Sequence, residues 1–218
     1  MSIHLHHKRV IKAETGAFRR LSLSFLGGMI LLSASLPHSA HALEPFTIVQ
    51  GQDEVQIGLH SEYLEDKDGQ LTIEEVRATT SNFQWEPGSK TSPNFGYTSS
   101  AYWLRVGLQN SQAAPSSRIL QIANAVLDDV QFYLLRNGQL EEQIQTGDYF
   151  PFEQRPVWNR NFLFPIEIGD GESVELYMRV KTSTSVQIPL TLWGEKAFAR
   201  EEQTAIATTC VYYGILLV

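Results

Sequence analysis

Tryptophan, tyrosine and arginine side chains recur in two parts of the sequence, in strand-like segments and in a proline-bounded loop. Aromatic rings stack on the apolar faces of sugars, while guanidinium and amide groups hydrogen-bond hydroxyls or a carboxylate. These residue types therefore predict a platform for a carbohydrate or another small polar ligand. The candidate ligand-binding residues are Trp103, Arg105, Arg155, Trp158, Asn159, Arg160, Tyr177 and Arg179.

Histidine and cysteine are too scarce for most catalytic or metal chemistry. Five of the six histidines precede residue 43, which leaves His60, and Cys210 is the single cysteine. An intrachain disulfide and a Cys/His metal cluster are thereby excluded. No spacing singles out the facing pair of carboxylates that glycoside hydrolysis needs; the acidic residues closest to the candidates are Asp128, Asp129, Asp148 and Glu153. We therefore predict no catalytic residue, no metal and no cofactor, with glycoside hydrolysis as the less favoured alternative.

The strand that must position the first candidates lies within residues 96–110. Successive side chains of a strand point to opposite faces. The apolar face of this strand carries Tyr102, Leu104, Val106 and Leu108. Trp103 and Arg105 point to the other, polar face. A large ring there is either open to a ligand or covered by the irregular connection of residues 83–94, and the sequence leaves both alternatives open.

Similar alternation recurs along the rest of the chain. Apolar residues alternate within 130–134, 162–168, 174–180 and 186–192, and each run is typical of a half-buried strand. The dipeptide Asn137-Gly138 is a type I′ hairpin signal. Seven or eight short strands with frequent turns and little helix predict an all-β fold, a β-sandwich of jelly-roll-like or immunoglobulin-like kind.

Residues 64–75 look at first like a calcium-binding loop, because acidic residues surround a glycine. Leu64 would occupy the first ligand position, however, and leucine cannot coordinate calcium. A turn at Asp68-Gly69 followed by a capping box of Thr72 and Glu75 explains the same residues. The sequence therefore predicts a short capped helix here rather than a metal site.

The two termini predict export and attachment to a membrane. A basic region, an apolar run at residues 21–36 and a small-residue cleavage site form a secretory signal peptide of residues 1–42. Residues 204–218 carry no charge and predict the beginning of a first transmembrane helix, within which the sequence stops. The sandwich domain is then residues 43–203. With 17 basic and 24 acidic residues and a net charge of −7, the chain is a poor candidate for nucleic acid.

Three tracts are distinctive in combination. They are Gly96-Tyr97-x-Ser99-Ser100-Ala101-Tyr102-Trp103-Leu104-Arg105, then Gly147-Asp148-x-x-Pro151-Phe152-x-x-Arg155-Pro156-x-x-x-Arg160-Asn161-Phe162-x-Phe164-Pro165, and Gln187-Ile188-Pro189-Leu190-Thr191-Leu192-Trp193. In this order they resemble the type-two extracellular domain of bacterial seven-transmembrane receptors with diverse intracellular signalling modules. The resemblance implies a periplasmic jelly-roll domain similar to carbohydrate-binding modules, followed by seven helices and a cytoplasmic histidine kinase or diguanylate cyclase. Asn159 departs from the family, in which histidine is common at this position, so the ligand preference can differ.

We therefore predict that residues 43–203 are the periplasmic ligand-sensing input of a receptor in the bacterial inner membrane. The expected partners are a carbohydrate or small polar ligand, the membrane through the C-terminal helix, and a second copy or a partner receptor. The helix-compatible residues 195–202 would pass movement of the sandwich to the membrane helix. The alternative is an interaction or dimerisation module without a small ligand.

Overall fold

Two β-sheets face each other, and a two-stranded ribbon closes one end of the space between them. The structure is a computed structural model that describes residues 43–78 and 83–216, so the predicted signal peptide lies outside the described residues. The strands are β1 (Phe46–Ile48), β2 (Glu54–Gln56), β3 (Glu62–Asp66), β4 (Glu86–Pro87), β5 (Asn94–Tyr97), β6 (Ala101–Asn110), β7 (Ser116–Ile122), β8 (Asp129–Arg136), β9 (Gln139–Thr146), β10 (Phe162–Ile168), β11 (Ser173–Lys181), β12 (Ser185–Gln187) and β13 (Leu190–Gly194). The α-helices are α1 (Ile73–Arg77) and α2 (Glu195–Leu216), and the 3₁₀ turns are Ile57–His60 and Phe152–Gln154.

The larger sheet has seven strands in the order β4-β3-β6-β11-β8-β9, and β1 pairs in parallel with the far half of β6. The smaller sheet has the order β10-β7-β13-β2, and β12 pairs with β5 in the ribbon. The predicted all-β sandwich is confirmed. Thirteen strands occur in the described part of the chain rather than seven or eight, because strands of two to five residues are too short to show an alternating pattern.

The main core lies between the two sheets and is built from the alternating positions that the sequence singles out. The apolar face of β6 contributes Tyr102, Leu104, Val106 and Leu108, all buried, and the alternating residues of β8, β10 and β11 complete the same cluster. Full burial of one such side chain stabilises the fold by about 1.5–3 kcal/mol. The predicted inward faces are therefore confirmed.

The connection between β8 and β9 is the predicted two-residue hairpin. Asn137 and Gly138 have φ angles of 49° and 71°, and Arg136 pairs with Gln139 on either side of them. Positive φ at both central residues is the requirement of a type I′ turn. The hairpin prediction is confirmed.

The alternating run 186–192 forms two strands rather than one. Val186, Ile188, Leu190 and Leu192 are all buried in the main core. The pairing of β12 is irregular between Val186 and Gln187, and Pro189, which has no N–H to donate, separates β12 from β13. Alternation shows which side chains point inward, but it does not show where the chain changes sheet.

The acidic segment before α1 forms the predicted turn and cap. The Thr72 hydroxyl accepts a hydrogen bond from the Glu75 N–H at 3.3 Å, and the Thr72 N–H donates to the Glu75 carboxylate at 2.8 Å. The Asp66 carboxylate accepts from the backbone N–H groups of Gln70 and Leu71. Within residues 43–78 and 83–216, no cluster of His, Cys, Asp or Glu side chains could hold a metal ion.

Candidate functional site

Trp103 lies in a second core, on the outer face of the seven-stranded sheet. Its exposed fraction is 0%. The residues of this second core are Leu64, Ile73, Val76, Trp103, Tyr133, Leu135 and Tyr177, with Leu71, Phe83 and Trp85 packed against it. Of the two alternatives that the sequence leaves open for Trp103, the structure shows the covered one. Phe83 and Trp85 come from the connection that the sequence suggested, and α1 supplies the rest of the cover.

Arg105 beside it is held by Glu62 and by the Trp85 ring. Its guanidinium bonds Glu62, with Nε at 2.7 Å and Nη2 at 2.6 Å from the same carboxylate oxygen. The guanidinium carbon lies 4.3 Å from the centre of the Trp85 ring, within the range of a cation–π contact. The Trp85 ring meets Tyr177 edge to face at 6.2 Å, and burial raises the pKa of the Tyr177 phenol. These side chains are fixed to one another rather than open to a ligand.

Arg179 ties the covering residues to the sheet. Its Nη1 lies 3.2 Å from the Asp129 carboxylate, and its Nη2 donates to the Gly69 carbonyl at 2.8 Å. At the opposite end of the cover, Arg77 of α1 donates to the Gly138 carbonyl in the hairpin. The second core is thus anchored at both ends.

The other predicted residues lie in the connection between β9 and β10. Arg155 donates to the carbonyls of Asn159 and Arg160 at 2.8 and 2.6 Å, and its guanidinium lies over the rings of Phe152 and Phe162. Arg155 therefore shapes its own loop. Trp158 is 75% exposed, and Arg160 is exposed as well.

The eight predicted residues form two groups rather than one platform. Trp103, Arg105, Tyr177 and Arg179 are neighbours on β6 and β11 of the seven-stranded sheet, as the registers of Tyr177 with Arg105 and of Arg179 with Trp103 show. Arg155, Trp158, Asn159 and Arg160 precede β10, which belongs to the four-stranded sheet. The structure therefore does not bring the eight residues together in one platform, and the sequence could not show this because sequence distance does not reveal which sheet a strand joins.

Helix α2 packs on the outer face of the four-stranded sheet. It follows β13 directly, and the Phe198 ring meets the Trp193 ring at 6.1 Å in a cluster with Leu163. The Trp193 indole N–H donates to Gln121 at 2.8 Å. Farther along the helix, the Asn159 amide donates to the Glu202 carboxylate at 2.8 Å. Asn159 thus contacts the helix that leads out of the domain.

A cleft of about 400 Å³ opens beside β1 and β3, at the size typical of small-molecule sites. Its lining residues are Leu43, Glu44, Pro45, Phe46, Thr47, Leu59, His60, Ser61, Glu62 and Pro87. Glu62 is the carboxylate that Arg105 holds, so the predicted Arg105 lies directly behind the cleft wall. The His60 imidazole packs on the Phe46 ring at 4.6 Å.

The cleft exists because one edge of β6 serves two partners. β3 pairs with residues 101–105 and β1 with residues 108–110. Between them, Gly107 admits the backbone of Pro45, since a Cβ on Gly107 would lie 3.0 Å from the Pro45 Cα. Sequence reasoning missed this cleft because its walls come from three separate segments, none of which has a distinctive pattern. The buried Gly107 in an otherwise regular strand is the one signal for it.

Asp128 joins two loops at the end of the sandwich where β8 begins. Its carboxylate accepts from the Ser183 N–H at 2.6 Å. Burial alone would raise the pKa of Asp128, but the hydrogen bonds from Ser183, Tyr149 and Thr182 outweigh it and hold the pKa below its ordinary value. The backbone of residues 148 and 149 bonds the carbonyls of residues 127 and 128. This network fixes the start of the β9–β10 connection.

The described residues form an all-β sandwich from which a helix leads directly out. The chain matches the family described as 7TMR-DISM extracellular 2 over residues 58–194. The chain belongs to this family, which confirms the resemblance drawn from its motifs. This part of the chain is accordingly the extracellular sensory input domain of a receptor. Among curated proteins, none matches the chain.

Solved structures with some likeness belong to much larger proteins. A tryptic core variant of Cry1Da from Bacillus thuringiensis shares 10% identity with a TM-score of 0.28, over 51% of this chain and 26% of that one. The GH31 α-xylosidase from Xanthomonas citri shares 10% identity with a TM-score of 0.28, over 62% and 15%. The GH115 glucuronidase BtGH115A shares 16% with a TM-score of 0.27, over 49% and 14%. The chain thus spans about a quarter or less of each, and likeness of this size carries no conclusion about function.

Proposed function

We propose that the sandwich is the ligand-sensing input of a membrane receptor and passes its state to α2. The observation that supports this proposal is the direct junction of β13 and α2, with the helix packed on the sheet through Trp193, Phe198 and Leu163. A shift in the sandwich moves a helix that is packed in this way. Only differential affinity for two arrangements can carry the signal, and about 1–3 kcal/mol of coupling is typical.

The proposed ligand is a carbohydrate or another small polar molecule, and its proposed site is the cleft beside β1. Carboxylate, hydroxyl and imidazole groups line the cleft together with the Phe46 ring, which suits sugar hydroxyls and one ring face. One partly buried ring contributes about 1.5–3 kcal/mol, and a few hydrogen bonds contribute about 1 kcal/mol each. These contributions correspond to affinities of roughly micromolar to millimolar, a range that suits a sensor.

The proposed output direction is the membrane. Uncharged residues 204–216 complete α2, and they would enter the inner membrane while residues 43–203 lie in the periplasm. Within the described residues, no helix combines the length and the apolarity that a membrane crossing requires. The membrane helices of the receptor would then pass the signal to a cytoplasmic output domain.

The ligand part is tested by thermal unfolding of the full chain against a panel of monosaccharides, disaccharides and organic acids. We expect a concentration-dependent rise in the midpoint with one class of compound. His60→Ala should lower the apparent affinity, whereas Gln143→Ala on the exposed strand β9 should leave it unchanged. A compound that binds equally well to both variants would place the ligand elsewhere than the cleft.

The signalling part is tested by a distance between two spin labels. Gln143→Cys on β9 and Gln203→Cys on α2 place labels at exposed positions, in a Cys210→Ser background. Addition of the bound compound should shift the distance distribution. Insertion of two glycines after Gly194 should remove this shift and leave the affinity unchanged. An unchanged distribution in the parent chain would contradict the transmission through α2.

A further inference from the structure

The direction in which α2 runs determines the end of the sandwich from which the helix leaves the domain. The helix starts after Gly194, which pairs with Arg118 near the start of β7. It then packs on Trp193 and Leu163 through Phe198, and Glu202 contacts Asn159, which precedes β10. Phe162, the first residue of β10, pairs with Ile122, the last residue of β7. The helix therefore runs back along the sheet and leaves where β7 ends and β10 begins.

The loops at this end come from both sheets. We name it the helix-exit end, formed by residues 98–100, 123–128, 147–161 and 182–184. The register places the starts of β6 and β8 and the ends of β9 and β11 here. The cleft beside β1 lies toward the other half of β6, since Phe46 pairs with Leu108. The cleft, which extends from the middle of β6 toward its far end, therefore lies away from the exit of the helix.

Exposed apolar side chains concentrate at the helix-exit end. In the described residues of the sandwich, large exposed apolar side chains occur at eight positions. Five of them lie in or directly beside the loops of this end: Tyr97, Val126, Tyr149, Phe152 and Trp158. Tyr97 is 84% exposed and Tyr149 is 72% exposed. Exposed apolar side chains concentrated in this way mark a surface that contacts a partner or a membrane.

These rings are held in place rather than loose. The Tyr149 hydroxyl bonds the buried Asp128 carboxylate. The Phe152 and Trp158 rings meet edge to face at 5.8 Å, and Arg155 lies over Phe152 while bonding the loop backbone. Fixed aromatic side chains lose little conformational entropy when they contact a partner.

The partner is identified by the helix that leaves beside the rings. Beyond Glu202, α2 exposes Ile206, Val211, Tyr212, Tyr213, Ile215 and Leu216. Ile206 lies four positions after Glu202, and at 1.5 Å per residue the two are about 6 Å apart along the helix axis. The interfacial layer of a bilayer is of similar thickness, about 5–8 Å on each side. Trp158, which adjoins the Glu202 partner Asn159, therefore lies at the depth of lipid headgroups when the apolar part of α2 is in lipid.

The charges at this end indicate which kind of lipid surface fits. Exposed Asp148 and Glu153 balance Arg160 and the partly exposed Arg155, and the whole chain is acidic. Attraction to anionic lipid needs an excess of basic residues. Tryptophan and tyrosine, in contrast, are enriched at membrane–water interfaces because one part of the ring is apolar and another part is polar.

We propose that the helix-exit end rests on the membrane surface, with Tyr97, Tyr149 and Trp158 in the headgroup layer of a zwitterionic bilayer. This inference rests on the proposed entry of α2 into the membrane. In this arrangement the sandwich contacts the bilayer directly rather than being held at a distance by α2. The cleft then faces away from the membrane. A tilt of the sandwich would then change aromatic contacts with lipid as well as the position of α2.

The test is quenching of tryptophan fluorescence in the full chain, reconstituted in phosphatidylcholine vesicles. The chain has four tryptophans. Trp103 and Trp193 are buried and Trp85 is partly buried, so Trp158 is the exposed one. The difference between the parent chain and Trp158→Phe isolates its signal. A nitroxide on the lipid headgroup should reduce this signal about twofold, and added salt should not restore it.

Two further variants in the Trp158→Phe background report on the opposite end of the sandwich and on α2. Leu140→Trp, in the hairpin at the opposite end, should not be quenched by headgroup nitroxide. Tyr213→Trp reports on α2 and should be quenched by a nitroxide within the acyl chains. Quenching at position 213 without quenching of Trp158 would overturn the surface contact and leave the proposed function standing. Absence of quenching at both positions would overturn the membrane entry of α2 together with this inference, and quenching that needs anionic lipid would overturn the zwitterionic contact.

Discussion

Each of the two sheets has an outer face covered by a helical segment, and the two covers differ in kind. The cover of the seven-stranded sheet buries Trp103, Tyr133 and Tyr177 under α1 and is anchored at both ends by arginines. The cover of the four-stranded sheet is α2, whose contacts are a small cluster around Phe198, one hydrogen bond from Asn159 and an exposed ion pair between Arg200 and Asp53. The helix then continues away from the sheet.

The difference separates a structural cover from a movable one. Moving α1 would expose a fully buried tryptophan and several neighbouring rings, which costs several kcal/mol. Moving α2 exposes only the small cluster around Phe198 and breaks one hydrogen bond and one exposed ion pair, Arg200–Asp53. Elements that move in signalling belong to the less stable parts of a fold. This difference supports the proposal that a signal leaves the domain through the outer face of the four-stranded sheet.

The largest effect is expected for Trp103→Ala. The substitution leaves a cavity in the second core, and removal of a buried large ring costs about 3–5 kcal/mol. The free energy of unfolding, measured by urea denaturation, should fall by this amount. Trp158→Ala is the matched control at an exposed tryptophan and should change it by no more than about 0.5 kcal/mol. Similar losses for both variants would contradict the burial of Trp103.

Trp103→Phe sharpens the same comparison. The Trp103 indole N–H has no hydrogen-bond partner among the residues that the structure describes. Phenylalanine keeps a ring that can stack on Tyr133, which now lies 5.8 Å away, and it removes the unpaired N–H. The loss should therefore be smaller, about 1–2 kcal/mol.

Phe198→Ala is expected to release α2 and leave the sandwich folded. Phe198 is 9% exposed, and loss of its contact with Trp193 should cost about 2 kcal/mol. Hydrogen exchange should then accelerate at residues 197–203, while amides of β6 and β11 keep their protection. Equal acceleration in the helix and in the central strands would show that α2 unfolds with the sandwich, and the distinction between the two covers would be lost.

The two covers also show which parts of the fold the sequence alone could predict. Period-two alternation identified the inner faces of β6, β10 and β11 correctly, because the main core imposes it. The same rule assigns Trp103 to the polar face but does not decide whether that face is open or covered. The cover comes from α1 and from residues 83–85, and no periodic pattern in these segments predicts it.

The site residues illustrate a second limit. The tract with Arg155, Asn159 and Arg160 was recognised as distinctive, and the family match confirms that recognition. Its contacts, however, are long-range: Asn159 reaches Glu202, which is 43 positions away in the chain. No local pattern encodes such a pairing, and the same holds for the cleft, whose walls meet only after β1 and β3 share the edge of β6.

A smaller effect is expected for the polar contact of α2. A partly exposed hydrogen bond from an amide to a carboxylate contributes about 0.5–1.5 kcal/mol. A double-mutant cycle of Asn159→Ala and Glu202→Ala should show a coupling energy in this range, measured as free energy of unfolding. Glu201→Ala, an exposed neighbour on the same helix, should show no coupling with Asn159→Ala. Coupling to Glu201 of the same size would mean that general electrostatics, not the bond, holds the helix.

The smallest effect is expected in the acid response of the two covers. The Asp128 pKa is lowered on folding from an ordinary value of 3.8, so its contribution to stability is complete above the unfolded-state pKa and is lost as the pH falls through the folded-state pKa. Asp128 fixes the start of the connection that carries Asn159. Protonation should therefore loosen α2 before it loosens α1.

Spin labels on the two covers can test this order in a Cys210→Ser background. A label at Gln203→Cys on α2 should gain mobility below about pH 4, whereas a label at Glu74→Cys on α1 should not. Asp128→Asn should remove part of the pH dependence. Glu172→Gln is the matched control, because the pKa of Glu172 is also lowered, by its hydrogen bond from Arg136, at the opposite end of the sandwich. If the α1 label gains mobility first, the cover over Trp103 is the weaker one, and the route of the signal must be sought on the seven-stranded sheet.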